Sequence, residues 1–164
     1  GVERLAKRKA IVRRLSAAGW QIATEVSFNN FGERGSIDIL AFHPGSGALL
    51  VIEVKTVVPD ETLLFQYSAL GFNSHRIHID RAHAREVEGF PDLVVNGGLA
   101  TLLLTEFARR DLGVKVSTSK ARHVAPLFCN RPMTLAADRV GERWRLSAFD
   151  DRHRLAVDME VNVA

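Results

Sequence analysis

LVVNGGLATLLLTEFARRDL, residues 93–112, is apolar almost all round over its first two-thirds. A helix with that pattern belongs inside a protein and not on its surface. The chain downstream predicts strands over residues 114–124, 133–139, 142–150 and 154–163. The last alternates: Leu155, Val157, Met159, Val161 and Val163 fall on one side, and Ala156, Asp158, Glu160 and Asn162 on the other. One buried helix followed by a run of antiparallel strands predicts an α+β fold in which a sheet curls around the helix.

Upstream of this stretch, Val58-Pro59-Asp60 breaks the chain. Before the break, residues 36–42 and 48–57 are apolar and β-branched and flank Pro44-Gly45, which predicts a hairpin. Residues 21–28 suit a further strand. Residues 2–18 carry Leu5, Ile11, Val12, Leu15 and Ala18 at helical spacing and stop at Gly19. Two segments result: 1–57, a helix with a β-hairpin, and 58–164, the helix-and-sheet domain.

Bulk properties bound the class. Hydrophobic residues make up 46% and charged residues 25% of the 164, as in globular domains. The single Cys129 has no partner for an internal disulfide, which suits a reducing compartment. No apolar run reaches the ~18 residues of a membrane span, and GVERLAKRKA lacks the apolar stretch of a signal peptide. The expectation is a cytoplasmic protein with no membrane partner. Net charge is +3, but Arg4, Lys7, Arg8, Lys9, Arg13 and Arg14 crowd residues 4–14. Such a basic helix is usually a solvated face, and nucleic acid is the possible partner it raises.

The segment YSALGFNSHRIHID, residues 67–80, gathers Asn73, His75, His78 and Asp80. Water addition to an unsaturated thioester needs a group that exchanges a proton near neutral pH, and histidine does so. A second polar group must hold the water; Asn73 is the candidate. Asn96-Gly97-Gly98 stands where the buried helix begins. Glycine admits close approach of a ligand, and N–H groups at a helix start favour a developing oxyanion. Asp80 is read as a cap for a short helix over 81–87. His43, His83, His123 and His153 have no partner pattern and are read as structural or exposed.

Together, YSALGFNSHRIHID and VEGFPDLVVNGGLATLLL (residues 87–104) resemble the MaoC-like hot-dog family, and more narrowly the C-terminal half of double hot-dog hydratases acting on mesaconyl-CoA and itaconyl-CoA. The resemblance covers about 58–164. It implies a hot-dog fold, hydratase or dehydratase activity on an acyl-CoA or related thioester, no cofactor, and a homodimer. It assigns His78 as general base/acid and Asn73 as the group orienting water. It places Gly97, Gly98, Asn96 and His75 against the substrate. Asn96-Gly97-Gly98 replaces the family's His-Gly-Pro, and Gly71 its Thr.

The front of the chain carries different chemistry. GERGSIDILAFHPGSGALLVIEVKT, residues 32–56, sets Asp38 on one strand and Glu53-x-Lys55 on the next. Carboxylates on adjacent strands can hold a divalent metal that activates water; Glu3 or Glu25 would complete the shell. Residues 6–60 resemble the start of the PD-(D/E)xK nuclease superfamily, which implies Mg²⁺ on Asp38 and Glu53 with Lys55 as catalytic lysine. The alternative readings are therefore a Mg²⁺-dependent nuclease or DNA-binding module, and a non-catalytic fusion of two partial domains.

Overall fold

The computed structural model describes residues 2–30, 33–140 and 143–164; the side chains of 2–8, 10, 28–30, 33–37 and 140 are outside that description. Glu3, Leu5, Arg4, Lys7 and Arg8 are among them. The chain divides into two compact units, Gly1–Lys55 with Ala136–Arg145, and Thr56–Leu135 with Leu146–Ala164.

In the first unit, helix α1 (Val2–Ala17) precedes strands β1 (Gln21–Asn30), β2 (Glu33–His43) and β3 (Ala48–Val57). The strands run antiparallel in the order β1-β2-β3, followed by parts of β5 (Met133–Val140) and β6 (Arg143–Phe149). The β2–β3 hairpin turns through Gly47, whose φ of 69° is a conformation that favours glycine. Its N–H closes the turn on the His43 carbonyl at 2.9 Å. Ile39, Ile52 and Val54 form the core of this unit, with Ile11, Val12, Leu15, Ile22 and Leu50 packed against it. Lys9, Arg13 and Arg14 of α1 are exposed, as a solvated basic face requires.

The second unit contains helix α2 (Glu61–Leu70), a 3₁₀ turn (Arg76–His78), a π turn (His83–Val87), helix α3 (Gly97–Asp111), and strands β4 (Val116–His123) and β7 (Leu155–Val163). Its strand order is β5-β6-β7-β4. Helix α3 packs on β4 and β7 through Leu99, Ala100, Leu104, Phe107 and Ala108, all buried. A long helix lies against an antiparallel sheet, as the sequence predicts.

Three differences from the sequence reading have physical causes. The apolar stretch 93–112 is not helical throughout: α3 begins at Gly97, within the Asn96-Gly97-Gly98 step read as its start. Leu93–Val95 run extended instead: the Val95 N–H bonds Leu127 at 2.8 Å and the Leu93 carbonyl accepts from Cys129 at 2.9 Å. Two adjacent β-branched valines favour that conformation. Helix α2 was not expected. Its buried face consists of Leu64 and Ser68 alone, too few apolar positions to show a period. Asp60 starts it by accepting the Leu63 N–H at 2.8 Å. In β7, both Ala156 and Asp158 are buried along with their apolar neighbours, so the strand has no open polar face at these positions. Asp158 is paired there with Arg122 at 3.1 Å.

Candidate active site

His78 ends the 3₁₀ turn and is half-buried. His75 starts that turn, its Nδ1 accepting the Ile77 N–H at 3.5 Å. The His78 Nδ1 lies 2.8 Å from the Val94 carbonyl oxygen. A carbonyl only accepts, so Nδ1 carries the hydrogen and the neutral ring presents Nε2 as its acceptor. Burial holds the His78 pKa below its ordinary value; the Val94 bond opposes this, and charge on His75 adds to it. The two rings are 5.8 Å apart between centroids. His78 is thus a neutral base tied to the extended segment that feeds α3.

Asn73 accepts the His75 N–H on Oδ1 at 3.1 Å, an Asx turn that leaves the amide nitrogen as its donor. It follows Phe72, whose φ is 50° and whose ring is 97% exposed. Asn73 lines a cleft of about 300 Å³ with Phe65, Ser68, Ala69, Ser74 and Ile79. Asp80 caps the following turns: Oδ1 accepts the His83 N–H at 3.0 Å, and Arg76 binds Oδ2 at 2.6 Å.

The sequence predicts the substrate-polarising donors at the start of α3. The structure distinguishes its three residues. Asn96 occupies the N-cap but makes no side-chain cap; it is 2% exposed, and Nδ2 donates to Ser68 Oγ at 3.3 Å. Its amide therefore braces α3 against α2 and is turned away from solvent. Its carbonyl takes the Ala100 N–H at 3.0 Å. With the Asn96 side chain engaged elsewhere, the first N–H groups of α3 go uncapped by it, and Gly98 is exposed. A side chain on Gly98 would collide with the Tyr67 hydroxyl.

Two residues near this helix start escaped the sequence reading. Tyr67, on α2, lays its phenol over Gly98. His123, at the end of β4, places Nε2 at 2.9 Å from the Gly97 carbonyl oxygen. Neither position has a local pattern; both contacts join residues far apart in sequence. Cys129 is buried, and burial pushes its thiol up, so it is core.

In the first unit, Asp38 and Glu53 lie on the adjacent strands β2 and β3, just beyond the Ile39–Ile52 pair. Asp38 is buried and its Oδ2 accepts the Val54 N–H at 3.0 Å. Glu25 falls opposite Asp38, but there the pairing is interrupted and Glu25 has φ 55°. Among the described residues, no three His, Cys, Asp or Glu side chains stand close enough to hold a metal. The shell expected of Asp38, Glu53 and Glu25 is not gathered, and the Glu3 side chain lies outside the described residues. Among the described residues, no helix is long and apolar enough to cross a membrane.

Residues 50–129 match the hydroxyacyl-thioester dehydratase type 2 family. Over these residues the chain is similar to that family of thioester dehydratases. The chain is 48% identical over 94 residues to mesaconyl-C(4)-CoA hydratase of Chloroflexus aurantiacus, covering 57% of itself and 34% of that protein. It is 30% identical over 89 residues to the mitochondrial hydroxyacyl-thioester dehydratase type 2 of Schizosaccharomyces pombe, covering 52% of itself and 30% of that protein. The chain thus spans about a third of the length of these curated relatives. An unliganded R-hydratase from Pseudomonas aeruginosa superposes with a TM-score of 0.62 at 16% identity, over 68% of this chain and 77% of its own. That likeness establishes the hot-dog fold. The dehydratase match begins at residue 50 and so takes in Glu53 and Lys55. These comparisons lend no support to a nuclease or a nucleic-acid partner.

Proposed function

We propose that this chain adds water to, or removes it from, an acyl-CoA or related acyl thioester, with His78 as general base/acid. The observation that carries the reading is the bond from His78 Nδ1 to the Val94 carbonyl at 2.8 Å. It fixes the tautomer, and burial keeps the ring neutral, so Nε2 accepts a proton at neutral pH. In the hydration direction, Nε2 takes a proton from water as the oxygen bonds to C3 of a 2-enoyl thioester. The double-bond electrons move toward the thioester oxygen, and the enolate collapses as C2 takes up the proton that Nε2 took from water, which returns the ring to its neutral form. Asn73 holds the water. The Gly97 and Gly98 end of α3 faces the oxygen with N–H groups and a partial positive charge.

The family match over residues 50–129 supports this class of substrate, as do the names of the two curated relatives. The reading calls on no cofactor. A homodimer fits it, and exposed Phe65, Leu70 and Phe72, beside the Asn73 cleft, are the apolar surface that such pairing would cover. A reducing compartment, the cytoplasm, suits the single buried Cys129. The test is hydration of a 2-enoyl-CoA by the intact chain, followed by loss of the enoyl-thioester absorbance. His78→Ala should slow it by about 10²-fold or more, the usual worth of a general base. Equal rates in the two proteins would remove His78 from the chemistry.

A further inference from the structure

The Gly97–Gly98 peptide is held from its carbonyl side by two side chains. His123 Nε2 is 2.9 Å from the Gly97 carbonyl oxygen, and Thr101 Oγ1 donates to the same oxygen at 3.1 Å. Nε2 and Oγ1 are themselves 3.3 Å apart. The carbonyl only accepts, so the His123 Nε2 carries a hydrogen. Gly97 is also fitted to this ring: a Cβ there would stand 3.1 Å from the imidazole, a tight approach that the ring would have to relieve by moving.

A peptide is one conjugated unit. Hydrogen bonds to its oxygen draw electron density from its nitrogen, which makes its N–H a stronger donor; chains of such bonds reinforce one another by about 10–30% per bond. The nitrogen of this peptide belongs to Gly98. We propose that His123 and Thr101 are positioning residues: by binding the Gly97 carbonyl they polarise the Gly97–Gly98 peptide and fix its orientation, strengthening the Gly98 N–H that meets the thioester oxygen. This rests on the proposed hydratase reading. Thr101 is one helical turn along α3, and His123 is supplied from β4, where it stands level with Val157. The helix start thus draws its support from two separate elements.

The experiment uses the intact chain and three variants, His123→Phe, His123→Gln and Thr101→Val. Two readouts are taken: kcat and KM for hydration of a 2-enoyl-CoA, and the Gly98 amide ¹⁵N resonance, with Gly113 as an internal control. His123→Phe should lower kcat about tenfold, a fraction of what loss of a direct oxyanion donor costs, with KM nearly unchanged. Its Gly98 resonance should move upfield while Gly113 stays. His123→Gln keeps an N–H donor and should recover most of the kcat. Thr101→Val should act in the same direction, and its effect should not add fully to that of His123→Phe. An unmoved Gly98 resonance, or unchanged kcat in both His123→Phe and Thr101→Val, overturns the proposal. A fall in kcat that tracks Tm and is not restored by glutamine also overturns it, since His123 would then only brace β4 against α3. If the wild type hydrates nothing, the hydratase reading fails, and the Gly98 resonance alone decides whether His123 polarises the peptide.

Discussion

The Nδ1 hydrogen of His78 is committed to the Val94 carbonyl, and this bond has a consequence for stability. Burial lowers the pKa of the ring in the folded chain. As pH falls below about 6.5, the ordinary value, the unfolded chain binds this proton before the folded one does. Stability contributed by neutral His78 is therefore full at higher pH and declines as pH falls through the depressed native value. Urea unfolding at about pH 7.5 and about pH 5.5 should show the wild type losing more stability than His78→Gln; equal losses would mean the ring titrates alike in both states. At Gly98 the limit is steric. Gly98→Ala sets a methyl group where the Tyr67 hydroxyl stands, an overpacking that costs about 1–3 kcal/mol. Combining it with Tyr67→Ala should cost less than the sum of the two single changes; strict additivity in thermal melts would show that the two residues do not meet. The histidine-rich turn and the glycine pair were legible because they are short local motifs. The phenol over Gly98 and the His123 contact were not, since each joins residues with no shared period.

At the scale of elements, α3 and the strands after it could be read from the sequence because their apolar periods are long. Asn96-Gly97-Gly98 marked the helix start, but the extended state of Leu93–Val95 was not legible: they are as apolar as the helix proper, and only their bonds to Leu127 and Cys129 show it. Burial all round α3 was also too strong an expectation, since Leu102 is 48% exposed while Leu104 is fully buried. Leu104→Ala should therefore cost about 2–5 kcal/mol of unfolding free energy, and Leu102→Ala far less. Comparable losses in urea titrations of the two variants would place the buried face of α3 elsewhere. Helix α2 was hidden by its polar buried residue, Ser68, which receives the Asn96 amide. That bond makes α2 a support for the start of α3, and it explains why an asparagine at an N-cap leaves the helix end uncapped.

At the scale of the molecule, the unit holding residues 56–135 contains His78, Asn73, Tyr67, Gly97, Gly98, Thr101 and His123 together. The sequence pointed to two chemistries in two segments. The nuclease-like segment offered a correct hairpin with Asp38 and Glu53 on its two strands, but spacing along two strands does not gather a metal shell, and none is gathered among the described residues. The hydratase chemistry proposed above is supported by the family match over residues 50–129 and by the tautomer set at His78. Its most direct test is transfer of oxygen from ¹⁸O-labelled water to C3 of a 2-enoyl-CoA by the intact chain, read by mass spectrometry of the acyl product. Labelled 3-hydroxyacyl product should accumulate with the wild type, and His78→Gln should form it about 10²-fold more slowly or worse. No label with the wild type, or equal labelling by both proteins, would contradict a water-adding site built on His78.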